Sequence, residues 1–166
     1  PINHPATTHI YTAGHSSAAS DVYKRQLPTD AALVEIPVVY GGEYGPDLQA
    51  LGDATGLSAD EIVALHTGRE YRVDMVGFTP GFAFIGGLDE TLRVPRRAAP
   101  RQRVEPGSVG IADGRTGLYA MASPGGWTLI GRTPYRLFDA VADEPFALQP
   151  GMRVRFKAIA ADAFDA

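Results

Sequence analysis

Beyond Glu70 the chain is cut by glycine and proline at short intervals, and the apolar stretches they bound run for only four to eight residues. That punctuation favours a mostly β chain over a helical one and predicts short strands joined by turns. Strands are expected over 71–78, 82–85, 108–112, 117–121, 127–132 and 152–159. A further strand is expected over 33–40, where Val34, Ile36, Val38 and Tyr40 share one face. Pro37 inside it predicts an edge position or an irregular start, because proline has no amide hydrogen to give a ladder. Seven strands with few helices point to a closed barrel or a sandwich. Two short helices are expected near the start. Pro46 suits a first helical turn that Gly56 ends, and Ser58 with Glu61 has capping-box spacing before Ile62, Leu65, His66 and a stop at Gly68. The stretch 158–164 closes as a short helix or a tail, and no internal repeat is visible.

Length and charge narrow the function classes. A chain of 166 residues suits one core, expected over 31–166, while residues 1–30 lack any helical or strand period and read as a poorly ordered tail. His4, His9 and His15 fall in that tail at spacings that match no ligand pair, so they are read as solvated and no metal is expected. With no cysteine, thiolate zinc sites and cysteine nucleophiles are excluded. A net charge of −4 argues against a nucleic-acid partner. No apolar run is long enough to span a bilayer and no secretory pattern opens the chain, so a cytoplasmic protein without a membrane partner is expected. Charge is nevertheless uneven: Arg93, Arg96, Arg97, Arg101 and Arg103 fall together with no Asp or Glu among them. Such a strip predicts a site for a small anion.

Three glycine-proline segments carry the candidate chemistry. Gly77, Phe78, Thr79, Pro80, Gly81, Phe82, Ala83 and Phe84 alternate rigid turns with aromatic rings, which suits a small pocket with close backbone approach or, equally, a tight barrel corner. It lacks the Lys and Ser/Thr of a phosphate-binding P-loop. Pro95 to Arg103 is held extended by prolines, and Arg96 and Arg101 offer guanidinium forks to a carboxylate or phosphate, or else lie in a solvated loop. Thr116, Tyr119 and Ser123 supply hydroxyls ahead of the turn Ser123, Pro124, Gly125, Gly126 and Trp127, which otherwise only links two strands. Ser123 has no histidine near it in sequence and is not read as a triad nucleophile. His66 is read as a packed or half-exposed helix residue. Glu43 sits in a glycine loop before a helix, placed to act on a substrate or to favour the helix dipole.

Taken together, segments 35–47, 77–88, 95–104, 107–111, 116–119 and 123–133 resemble the C-terminal domain of the family of 5-oxoprolinase B subunits, also called KipI or allophanate hydrolase subunit 1. The likeness runs over roughly 33–159. It implies a cyclophilin-like β-barrel. It also implies partnership with the C subunit, which is a second cyclophilin-like protein, and with the A subunit, in ATP- and Mg2+-dependent hydrolysis of 5-oxo-L-proline to L-glutamate. In that scheme phosphoryl transfer activates the lactam oxygen, the arginine strip holds a carboxylate or phosphate, and glycine-loop amides meet the oxyanion. By match to the family's motifs, Phe78, Pro80, Gly81, Phe82, Pro95, Arg96, Arg101, Ser108, Thr116, Gly117, Tyr119 and the turn from Ser123 to Trp127 become candidate pocket or partner-contact residues. Two family members imply alternatives: a regulator that inhibits a sensor histidine kinase, and a carboxyltransferase subunit of urea carboxylase type. Members usually carry an N-terminal α/β domain, so the chain is expected to be shortened or to begin with foreign sequence. Asp113 stands where the family commonly has a small residue, which places a carboxylate near the expected anion site.

Overall fold

The computed structural model describes residues 33–165; the expected tail and His4, His9 and His15 lie outside them. In chain order the elements are β1 (Leu33–Tyr40), α1 (Leu48–Thr55), α2 (Ala59–Thr67), β2 (Tyr71–Val76), β3 (Ala83–Gly86), β4 (Arg101–Val104) and β5 (Ser108–Ala112). They continue with β6 (Arg115–Leu118), β7 (Ser123–Gly125), β8 (Thr128–Arg132) and β9 (Arg153–Ala158). Seven strands close a barrel in the order β1, β8, β5, β6, β3, β2, β9. Closure is made by β9, antiparallel to β2 and parallel to β1 from Leu33 opposite Arg153 to Val38 opposite Ala158. The mostly β architecture with two early helices is as the punctuation predicts, and of barrel and sandwich it is the closed barrel that the family resemblance implies.

Local differences have local causes. Strand β2 stops at Val76 rather than at Phe78, because the Gly77 amide turns to the Phe82 carbonyl at 2.9 Å and the segment becomes a tight corner. Helix α1 starts at Leu48 rather than at Pro46. Pro37 does not mark an edge, since β1 has a neighbour on each side. The Val38 carbonyl accepts from the Ile159 amide at 2.9 Å, so by strand alternation Pro37 turns toward β8, whose register reaches only Val39 and Tyr40. The missing donor thus falls where β1 outruns its partner. β4 and β7 form a separate two-stranded ribbon, with Arg101 opposite Gly125 and Val104 opposite Ser123. The expected Ser-Pro-Gly-Gly turn is therefore mostly strand.

Two cores follow from this layout. Inside the barrel, Ile36, Val38, Val73, Ile85, Ile111 and Phe156 pack with Ile62 from α2. Outside it, Phe82, Val104, Ala112, Tyr119, Trp127 and Leu129 make a second cluster. β5 is accordingly buried along its whole length rather than alternating. Helix α2 is well begun: the Ser58 hydroxyl accepts from the Glu61 amide at 3.2 Å and the Glu61 carboxylate accepts from the Ser58 amide at 2.8 Å. That reciprocal pair holds the Glu61 carboxyl below its ordinary range. Ser58→Ala is expected to cost about 1 kcal/mol by urea unfolding, the usual worth of a cap. An unchanged midpoint would show that packing of Ile62 alone holds the helix.

Candidate functional site

The outer cluster is built around two missing side chains. A Cβ at Gly117 on β6 would lie 2.8 Å from both the Phe82 ring and the Trp127 ring, and one at Gly125 would fall on the Tyr119 hydroxyl. Glycine at these positions lets Phe82 and Trp127 close on the barrel wall at Gly117 and Tyr119 close on the ribbon at Gly125. Phe82 is the hub: its ring centroid lies 4.6 Å from Phe84, 4.8 Å from Tyr119, 5.6 Å from Trp127 and 5.9 Å from Phe78. The Tyr119, Trp127 and Phe78 contacts are edge-to-face, the favoured geometry for aromatic pairs. Phe78 stands 73% exposed with φ of +70°, a conformation uncommon for a bulky residue and held here by the corner on either side.

Between these rings lies a cleft of about 80 Å3, bounded by Phe78, Phe82, Phe84, Tyr119, Trp127 and Arg96, with Gly125 and Gly126 at its side. Its volume is that of two or three waters, so it admits one end of a small molecule. A wider hollow of about 310 Å3 shares Phe84, Arg96 and Trp127 and adds Asp74, Asp113 and Arg115. The Arg96 guanidinium carbon sits 5.9 Å from the Trp127 ring centroid. Its Nε donates to Asp113 at 3.2 Å, and both side chains are more than half exposed. An exposed pair of this kind is weak, so Arg96 is free to exchange Asp113 for a ligand oxyanion. Asp113 adopts φ of +52° and competes for the same guanidinium. Burial pushes the Tyr119 hydroxyl above its ordinary pKa, against the pull of a Trp127 backbone hydrogen bond and of Arg96 and Arg101. It stays protonated at neutral pH and is no general base.

Other candidates are placed elsewhere. Each of the five arginines between 93 and 103 meets a carboxylate: Arg93 meets Glu90, Arg96 meets Asp113, Arg97 and Arg101 meet Asp47, and Arg103 meets Glu105. The strip is thus not the unbalanced cationic surface its local composition predicts. Arg101 gives its fork to Asp47 at 2.7 and 2.9 Å, which commits the guanidinium structurally. Thr116 is fully buried inside the barrel, where its hydroxyl donates to the Gly110 carbonyl at 3.2 Å and meets His66 Nε2 at 3.0 Å. It does not line the cleft. His66 is wholly buried, the packed one of the two expected placements. The Ser123 hydroxyl is buried without a hydrogen-bond partner among the described residues, apart from any histidine, and Ser108 is a buried strand residue. Glu43 is exposed in the loop after β1, and Pro80 and Pro95 are exposed. Gly81 has φ of +78° and packs where a Cβ would press on Ala120 and Phe138. The amides of Gly77, Thr79 and Phe82 are all taken up within the corner, so they do not form an oxyanion cradle.

Asp47, beside Pro46 ahead of α1, is a residue that the sequence analysis did not single out. It is 5% exposed and accepts from Arg97, from both arms of Arg101 and from the Leu129 amide. Its partners lie 50, 54 and 82 positions away, and no local pattern announces them.

A closed barrel with an outer aromatic cleft under a small ribbon defines a class. The family described as carboxyltransferase domain, subdomain C and D, matches residues 7–148, and this chain belongs to it. The chain is 52% identical over 130 residues to the B subunit of 5-oxoprolinase from Escherichia coli O157:H7, covering 78% of this chain and 60% of that protein. It is 48% identical to the 5-oxoprolinase B subunit of Bacillus subtilis strain 168, covering 75% and 52%, and 47% identical to that of Haemophilus influenzae, covering 74% and 58%. It therefore spans little more than half of these relatives. A conserved uncharacterized protein of Pyrococcus horikoshii superposes with TM-score 0.77 at 47% identity, over 80% of this chain and 61% of that one. The Kluyveromyces lactis urea carboxylase superposes with TM-score 0.67 at 19% identity, over 80% and 14%, which shows the shared fold alone. No helix among the described residues is long and apolar enough to cross a membrane.

Proposed function

We propose that this chain supplies the barrel of the B subunit in an ATP-dependent 5-oxoprolinase, working in the cytoplasm with the A and C subunits to open 5-oxo-L-proline to L-glutamate. The aromatic cleft beneath Arg96 carries this reading: a flat lactam ring suits walls of Phe82, Phe84 and Trp127, and its carboxylate suits the guanidinium over Trp127. The names of the relatives at 47–52% identity support the same activity.

In this scheme the chain binds and orients rather than attacks. Tyr119 stays protonated, the Ser123 hydroxyl lies apart from any histidine, and His66 is sealed in the interior. Phe78, exposed at the mouth, closes over bound lactam and keeps water from the ring until activation. Phosphoryl transfer from ATP would supply activation of the lactam oxygen. Among the described residues no cluster of His, Asp or Glu is disposed to hold a metal ion, and two of the strip arginines, Arg97 and Arg101, are committed to the buried Asp47. These residues do not fit a nucleotide cradle, and turnover is assigned to the assembled complex rather than to this chain alone.

The test is co-expression with the A and C subunits and measurement of 5-oxoproline-dependent ATP hydrolysis. Arg96→Ala is expected to raise KM for 5-oxoproline about tenfold with kcat little changed, the loss of one exposed charged contact. Phe78→Ala is expected to lower kcat by a few-fold. An assembled complex with no lactam-dependent turnover would sink the reading, and an unaltered KM in the Arg96 variant would remove the cleft from it.

A further inference from the structure

Ten of the twelve arginines among the described residues lie within ion-pair distance of a carboxylate. Arg72 and Arg132 are the two without such a carboxylate among the described residues. Arg72 is exposed on β2. Arg132, the last residue of β8, is half-buried and held from two sides. Its Nε donates to the Pro106 carbonyl at 2.8 Å, and its guanidinium carbon lies 5.4 Å from the centroid of the Phe164 ring. Phe164 is braced in turn against Tyr44, with ring centroids 4.9 Å apart. Among the described residues, Nη1 and Nη2 of Arg132 have no hydrogen-bond acceptor.

Arg132 lines a cavity of about 330 Å3 together with Thr133, Tyr135, Leu137, Phe138 and Phe164. That volume falls within the range of small-molecule sites, about 300–1,000 Å3. No lining residue is shared with the aromatic cleft. Among the described residues no carboxylate is bonded to Arg132. Glu105 feels the Arg132 charge, but its carboxylate is bonded to Arg103 at 2.7 Å. Arg136 adds a second guanidinium at the rim and is tied to Asp139 at 3.1 Å.

A guanidinium fixed through one nitrogen, stacked on a ring and without a bonded acid among the described residues is already in place for an oxyanion. Little side-chain entropy is lost when it binds, and its two remaining amino groups match the paired oxygens of a carboxylate or phosphate. Leu137, Phe138 and Phe164 beside it suit an apolar or cyclic body. We propose that this cavity is a second ligand site, binding a small oxyanion, carboxylate or phosphate, carried on such a body, with Arg132 as its charge partner. It stands independently of the reaction assigned to the aromatic cleft.

The test is NMR of the arginine Nε–Hε groups in the full chain, titrated in separate arms with 5-oxoproline as the carboxylate probe and inorganic phosphate as the phosphate probe. A saturable shift of the Arg132 resonance is expected in at least one arm, and the arm that saturates at lower concentration identifies the anion. In variants that lack that resonance binding is followed by titration calorimetry: Arg132→Gln is expected to weaken it about tenfold or more, as for loss of one charge-assisted pair, and Arg96→Gln to leave the affinity of this cavity unchanged. Absence of a saturable shift in both arms up to millimolar concentration overturns the site. So does loss of binding in Arg96→Gln with retention in Arg132→Gln, which places the anion in the aromatic cleft. If Arg132→Gln lowers the thermal midpoint, Arg132→Lys decides: weaker binding by a folded variant supports the fork, and wild-type affinity overturns it.

Discussion

Replacement of Asp47 by alanine is expected to destabilise the protein by about 3 kcal/mol, a fall in thermal midpoint of roughly 10 °C for a domain of this size. The carboxylate is 5% exposed and accepts four hydrogen bonds: two from Arg101, one from Arg97 and one from the Leu129 amide. Removing it leaves a buried amide without a partner and two guanidinium groups side by side without a counter-charge. Both effects act in the same direction. The local consequence reaches the cleft, because the Arg97 amide bonds the Gly126 carbonyl at 2.7 Å and Arg101 is paired with Gly125 across the ribbon. Trypsin should therefore cut after Arg97 and Arg101 much faster in the variant than in the wild type. Asp47→Asn keeps the shape and an acceptor for Leu129 but not the charge, so its midpoint should fall between the two. A midpoint within a degree or two of wild type, with trypsin resistance retained, would show that solvent reaching Arg97, which is 39% exposed, screens the cluster.

The second large effect is on acid stability, through His66. In its neutral form every polar atom of the ring is satisfied. The Tyr40 hydroxyl donates to Nδ1 at 2.7 Å, and Nε2–H donates to the Thr116 hydroxyl at 3.0 Å, which passes its own hydrogen to the Gly110 carbonyl. The tautomer follows from that chain of donors. Stacking on Phe156 at 4.3 Å completes the enclosure. Burial lowers the His66 pKa from 6.5 to about 3. Since the folded value is depressed, the unfolded chain takes up the proton first as pH falls. The stabilisation is whole above about pH 6.5 and drains away between there and about pH 3. Between pH 7 and 4.5 the loss is about 2–3 kcal/mol, two pH units of linkage below the unfolded value. Urea midpoints for wild type and His66→Gln across that interval measure it, because glutamine keeps a donor and an acceptor without titrating. The difference between the two curves should steepen below pH 6.5. Parallel curves would mean that the ring is not held neutral. Glu70, Asp89 and Glu105 also have lowered pKa values, but they lose their contribution only at more acid pH, as carboxylates protonate.

Much of the fold is legible before any coordinates. β1 and β5 occupy the expected positions, and the remaining barrel strands are displaced by one to three residues at their ends. Strand alternation and glycine-proline punctuation act over a few residues and survive in the linear order. β4 and β7 escaped because they are four and three residues long and carry arginine, proline and glycine in place of an apolar alternation. For the site, the quoted segments do converge: Phe78, Phe82, Arg96, Tyr119, Gly125, Gly126 and Trp127 meet around one cleft from three separate stretches of chain. Thr116 belonged to the same motif as Tyr119 and yet faces inward, since strand alternation sends neighbouring residues to opposite faces of the wall. Arg132 drew no attention as a charge, because it stands alone in a strand.

From the order of its residues alone, this chain is committed to short strands and tight turns, in a barrel or a sandwich, with aromatic rings beside its glycines, because backbone permissiveness and apolar period are properties of near neighbours. Which arginines remain without a carboxylate, and whether a histidine is sealed or wet, was decided by the tertiary structure. Coulombic pairing and desolvation depend on distance in space, and closing the barrel brings Asp47 to Arg101 and His66 to Thr116 across 54 and 50 residues of chain.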